Sequence, residues 1–218
     1  MDPILEIAFR DLTEKYGCHT VILYGSRSRG DFTEKSDYDL MGIRSGGEAV
    51  RDARIIQSAD GTGKYLDAFI YPENAFTGKE KDYLRIREGK VLVQRDSYAD
   101  ELLAKINQAF RQGPTPLTLS EDQERRVWLQ KMVGRSSRGD LEGNYRRAWL
   151  QMALLEEYFA FRNHWYLGPK ESFTWLAEHD RSTHALFEAA LQPGASSTQL
   201  TALVQRVLTT TVSGPSKS

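Results

Sequence analysis

Two aspartates, Asp37 and Asp39, stand one residue apart at the start of an apolar run over residues 36–43. Side chains alternate along a strand, so in extended chain both carboxylates project from one face, while Tyr38 and Leu40 point to the other. Carboxylates held side by side repel, and a bound cation or a shared proton relieves them. The ion suited to hard carboxylate oxygens is Mg²⁺. Upstream, Gly25 and Ser26 close a second apolar run, residues 20–24, with a sharp turn. Such a turn offers backbone N–H groups and a hydroxyl to phosphate. No Gly-Lys-Ser/Thr follows, which argues against a phosphate-loop ATPase. An Asp-x-Asp pair alone is commonly a solvated loop. Set between a strand–turn and an apolar strand, it reads as a site for a metal and a triphosphate.

Taken as a set, Gly25-Ser26, Arg29-Gly30 and Ser36-Asp37-Tyr38-Asp39-Leu40 resemble the signature of the DNA polymerase β-type nucleotidyltransferase superfamily. Within it, the likeness is to small bacterial aminoglycoside and lincosamide nucleotidyltransferases and to minimal nucleotidyltransferases. It covers about the first third of the chain, and its specificity lies in the combination. The resemblance implies a third carboxylate on a later strand, and Asp67 within residues 64–71 supplies one. A lone carboxylate among apolar residues is costly to bury, and a metal accounts for it. Asp37 and Asp39 are then expected to bridge two Mg²⁺ ions about 3.5–4 Å apart. Asp67 would ligate the ion nearest the attacking oxygen or take its proton. Gly25, Ser26 and Arg29 would hold the β- and γ-phosphates; Arg29 matches a basic position in the resembled resistance enzymes. Lys35 and Arg27 are further candidates, and Arg27 is equally open to a surface reading.

The expected reaction is transfer of a nucleoside monophosphate, AMP from ATP, to a hydroxyl of a small molecule or protein, releasing pyrophosphate. Catalysis of this kind is mostly positioning and charge stabilisation. The resemblance further implies that the helical region shapes the acceptor pocket and can contribute a carboxylate base. Glu156 and Glu157 qualify by type and location, with an exposed helix face as the rival reading. A homodimer sharing its pocket is also implied.

These residues need elements to place them. Asp2 and Pro3 open a helix on which Leu5, Phe9, Leu12 and Tyr16 recur at helical spacing, and Gly17 closes it. The segment 48–58 is ambiguous, with 53–56 open to a strand reading, and Asp60-Gly61-Thr62-Gly63 signals a turn that favours a hairpin into the Asp67 strand. A short helix over 81–87, a strand over 91–93 and an amphipathic helix over 98–110 follow. Gly113, Pro114 and Pro116 then break the pattern. Beyond them the chain reads as helix: Ser120 with Gln123 as a capping box opening a helix to about 138, then 143–165, 171–179 and 184–191. A final helix carries Leu200, Leu203, Val204, Val207 and Leu208 on one face. The predicted organisation is an α/β (α+β) nucleotidyltransferase fold over 1–112, with a mixed sheet flanked by helices. A helical bundle follows over 119–208, then a flexible tail over 209–218.

Composition narrows the partners. The 218 residues carry 29 Lys and Arg against 30 Asp and Glu, a net charge of −1 that marks no nucleic-acid or membrane surface. A polymerase or tRNA-tailing enzyme, which needs a basic face, is disfavoured. From Leu119 on, 12 Lys and Arg stand against 11 Asp and Glu, so the acidic cleft suited to a polycationic aminoglycoside is not evident. The cluster of Arg125, Arg126, Lys131, Arg135, Arg138, Arg146 and Arg147 suits an anionic partner or a solvated helix face. The single cysteine, Cys18, excludes an internal disulfide. No apolar run is long enough to span a membrane and no secretory signal begins at Met1, so a cytoplasmic protein is expected. The alternative from another class is a non-catalytic nucleotide-binding or antitoxin-like interaction module of the same fold.

Overall fold

The computed structural model describes residues 2–58 and 61–209. Asp60 of the expected turn and residues 210–218 of the expected tail lie outside the described residues. The chain divides into two compact units, Met1–Gln112 and Gly113–Ser218.

The first unit is built on a five-stranded mixed sheet of β1 (Thr20–Tyr24), β2 (Tyr38–Arg44), β3 (Val50–Gln57), β4 (Gly63–Pro72) and β5 (Lys90–Val93). The order across the sheet is β3-β4-β2-β1-β5. β2 and β4 run parallel; the remaining pairs are antiparallel. Alternation along the strands sorts the side chains between the faces. Val21, Leu23, Tyr38, Leu40, Leu66, Ala68 and Ile70 form one core with Ile4, Leu5, Ala8 and Leu12. Those last four come from α1 (Pro3–Arg10) and the π-helical turn Asp11–Lys15 that extends it. Asp2 fastens this layer, because its Oδ1 accepts both the Leu5 N–H at 3.0 Å and the Tyr38 hydroxyl at 2.8 Å. On the opposite face lie Asp39 and Asp67, and the 3₁₀ segment Glu80–Ile86 brings Arg85 over Phe69 and Tyr24. α3 (Tyr98–Gln112) completes the unit.

The second unit is entirely helical among the described residues: α4 (Leu119–Ser136), α5 (Leu141–Ala160), α6 (Pro169–His179), α7 (Arg181–Leu191) and α8 (Ser197–Leu208). Its core gathers Leu129, Leu150, Leu154, Tyr158, Leu176, Phe187, Leu203 and Val207. Several boundaries differ from expectation: α5, α6 and α7 begin two or three residues early, at Leu141, Pro169 and Arg181. The capping box of α4 is Thr118 with Glu121 rather than Ser120 with Gln123. Both pairs fit the motif, but Glu121 adds a charged acceptor near the helix N-terminus. α5 stops at Ala160, not near 165: Asn163 adopts φ 54° and the His164 N–H returns to the Phe159 carbonyl at 3.0 Å. Asn tolerates that left-handed geometry, so the helix ends in spite of the apolar residues beyond.

Asp180 ties three helices of this unit together. It caps α7 through the Thr183 N–H and accepts from the hydroxyls of Tyr158, Ser182 and Thr183, each at 2.7 Å. Arg206 of α8 pairs with it at 3.0 Å. Burial opposes its charge, but the hydrogen bonds from Thr183, Tyr158 and Ser182 prevail and hold its pKa well below the usual carboxylate range. A depressed folded pKa gives stability that is complete above the unfolded value of about 4 and fades as pH falls toward the folded one. Asp180→Asn is expected to cost roughly 2–3 kcal/mol at neutral pH and to flatten the loss of stability below about pH 4. Urea denaturation across pH measures both.

Candidate active site

The two sequence-distant aspartates meet through strand register. Tyr24 of β1 lies opposite Asp39 of β2, and Asp39 lies opposite Asp67 of β4. Residues matched across paired strands share a face, so both carboxylates rise from the side of the sheet away from α1. Asp37 precedes β2, which begins at Tyr38 rather than at 36, and it is exposed. Its charge nevertheless reaches Asp39. Burial raises the Asp39 pKa, the charges of Asp67 and then Asp37 add to the rise, and Arg85 and Arg29 work against it. All three predicted carboxylates therefore share one local field.

Gly25 is fixed at its position by two constraints. It adopts φ +71°, and a Cβ built there would lie 2.3 Å from Asp39 Oδ2. The chain thus turns directly against the Asp39 carboxylate, where a side chain would displace it. Ser26 opens the four-residue α2 (Ser26–Arg29), and Ser28 Oγ donates to the Gly25 carbonyl at 2.9 Å. Arg29 stands 3.4 Å from Asp31 with its charge felt at Asp39. Lys35 lies in the exposed turn before β2.

Arg27 has a definite structural task. Its Nε donates to the Asp37 carbonyl at 3.0 Å and its Nη2 to the Ser36 carbonyl at 2.8 Å. The guanidinium lies 3.7 Å from the Tyr38 ring centroid and 4.9 Å from that of Phe32. It clamps the loop that presents Asp37, committing its Nε and one Nη2 donor to backbone.

Two arginines at the site have no signal in the sequence. Arg85 stacks over Phe69 at 4.2 Å and bears on Asp39. Arg51, on β3, grips Asp67 with both donors, Nε to Oδ1 at 2.7 Å and Nη2 to Oδ2 at 2.8 Å. Arg51 is paired with Phe69 across β3 and β4, which makes Asp67 its diagonal neighbour, within reach of a long side chain. Only folded register reveals that adjacency. Among the described residues, no three His, Cys, Asp or Glu side chains form a group able to hold a metal ion as they stand.

In the second unit, Glu156 is exposed and Glu157 is not, its side chain being 13% accessible. Burial raises the Glu157 pKa, against the pull of Arg125 at 3.3 Å. It lines a cleft with Trp128, Trp149 and Ala153. Much of the basic cluster is engaged inside the unit. Arg126 pairs with Asp122, Arg138 with Asp140 and Glu142, Arg146 with Glu142, and Arg147 with the Ala195 and Ser196 carbonyls.

No family model and no curated protein matches this chain. Among solved structures, it is similar to a nucleotidyltransferase-like protein from Exiguobacterium sibiricum, at 14% identity and a TM-score of 0.45. The match spans 94% of this chain and 73% of the other. No helix among the described residues is long and apolar enough to cross a membrane.

Gly25→Ala is expected to lower stability by about 1–3 kcal/mol, through both the positive φ and the displaced Asp39 carboxylate. Thermal and urea melts of the variant test it, and a cost below about 0.5 kcal/mol would mean that the turn relaxes freely.

Proposed function

We propose that this chain is a Mg²⁺-dependent nucleotidyltransferase. It moves a nucleoside monophosphate, AMP from ATP, to a hydroxyl of a small molecule or protein and releases pyrophosphate. One observation carries the reading: Asp39 and Asp67 occupy matched positions on neighbouring parallel strands, with the Gly25 turn seated against Asp39.

The residues suit the ion. The donors are carboxylate oxygens, and the mutual repulsion that raises the Asp39 pKa is the kind a divalent cation relieves. When bound, Mg²⁺ supplies Lewis acidity to phosphoryl oxygens. Asp37, Asp39 and Asp67 would hold it. Ser26 and Arg29 orient the triphosphate from the turn and α2, with Gly25 allowing close backbone approach and Lys35 as a further cation. Asp67 orients the acceptor hydroxyl or takes its proton. The acceptor oxygen then bonds to the α-phosphorus as the α–β bridge breaks, and the electron pair leaves with pyrophosphate.

One observation favours the rival, a non-catalytic nucleotide-binding module: the forked Arg51 contact on Asp67. Turnover separates the two. Screening hydroxyl acceptors for labelled-nucleotide incorporation should reveal Mg²⁺-dependent pyrophosphate release that Asp37→Ala and Asp39→Ala lower by about 10³-fold or more. Arg29→Ala should raise the KM for nucleotide about tenfold with a smaller effect on kcat. Equal turnover in the aspartate variants would refute the enzyme reading, and nucleotide binding without turnover would favour the module.

A further inference from the structure

Both Asp67 oxygens are committed to a single guanidinium, at 2.7 and 2.8 Å. A forked arginine on a carboxylate is among the most directional pairs that side chains make. It draws on the same in-plane lone pairs that a cation would use. The partners differ in freedom. Asp67 sits on a strand paired on both sides, to β2 and β3, and its side chain is 20% exposed. Arg51 comes from the edge strand β3, its side chain 55% exposed, with its guanidinium 5.1 Å from the Phe69 ring centroid. Phe69 also carries Arg85 at 4.2 Å, so one aromatic ring beside Asp67 already holds both guanidinium groups.

We propose that Arg51 is a positioning residue that latches Asp67, competing with a divalent cation for the same two oxygens and yielding them only when the cation binds. This rests on the nucleotidyltransferase reading of the site. The latch holds one of three mutually repelling carboxylates neutralised and aimed, and its release couples filling of the Asp67 side of the site to cation binding. Among the described residues no arginine forks onto the Asp37 or Asp39 carboxylate, so their side fills at lower cation concentration.

The test is Mn²⁺ binding to the full chain without nucleotide, read from the electron paramagnetic resonance of free Mn²⁺. Arg51→Met should tighten binding about fivefold or more, and the gain should vanish when Asp67→Asn is added. Arg51→Lys keeps the charge but loses the fork. A latch predicts at least half of that gain on a logarithmic scale, whereas a mere long-range field predicts the wild-type affinity. Unchanged or weaker binding in Arg51→Met, or a wild-type Arg51→Lys beside a tighter Arg51→Met, overturns the latch. Asp39→Asn separates the two levels: if it abolishes Mn²⁺ binding while Arg51→Met changes nothing, only the latch fails. If Asp39→Asn leaves binding intact, the metal site and the latch fail together.

Discussion

The parallel pairing of β2 with β4 is the constraint from which the rest follows. Asp39 and Asp67 are far apart in sequence and share no local signal, yet the ladder sets them opposite each other. Apolar residues on the reverse face hold that register. Leu40, Leu66, Ala68 and Ile70 are buried against α1, and a slip of one residue would turn them to the polar face and send Asp67 into the core. Burying each large aliphatic side chain contributes on the order of 1.5–3 kcal/mol, which far exceeds what like-charge repulsion between two partly solvated carboxylates can oppose. The fold can therefore hold acids together that would separate if free.

That enforced crowding explains the surrounding cations. Burial and two like charges raise the Asp39 pKa, and Arg85 and Arg29 limit the rise. Asp67 is answered directly by Arg51. Arg27 acts differently, through hydrogen bonds to the Ser36 and Asp37 carbonyls, so it shapes the approach to the site without neutralising it. Gly25 belongs to the same scheme, since only a residue without Cβ leaves room for the Asp39 oxygen. The site is a set of repulsions contained by packing and by arginines from three separate segments.

Elements with a local cause were legible in the sequence, and those with a tertiary cause were not. The apolar runs at β1 and β2, the Gly25 turn and the helical spacing of α8 each follow from a few consecutive residues, and they appear where expected. The segment around residues 53–56 showed only part of β3, because its exposed positions, among them Arg51 and Ile55, carry no continuous apolar pattern. Arg51 and Arg85 were invisible as site residues because each gains its role from a tertiary contact, Arg51 across β3 and β4 and Arg85 from the 3₁₀ segment packed over Phe69. The end of α5 was misplaced because Trp165 and Tyr166 prolong the apolar pattern past Asn163, whose backbone breaks the helix. Arg27 read as an undecided charge because a guanidinium bonded to backbone looks, in sequence, like any other arginine.

The proposed function requires that Asp39 and Asp67, matched across β2 and β4, and Asp37 in the loop before β2 share a cation. Anomalous scattering from crystals grown with Mn²⁺ and a non-hydrolysable ATP analogue measures this most directly. The account predicts at least one Mn²⁺ peak within bonding distance of Asp39 and one of the other two aspartates, with the triphosphate against the Gly25–Ser26 turn. Bound nucleotide with no Mn²⁺ at these carboxylates, and Arg51 still forked on Asp67, would contradict it.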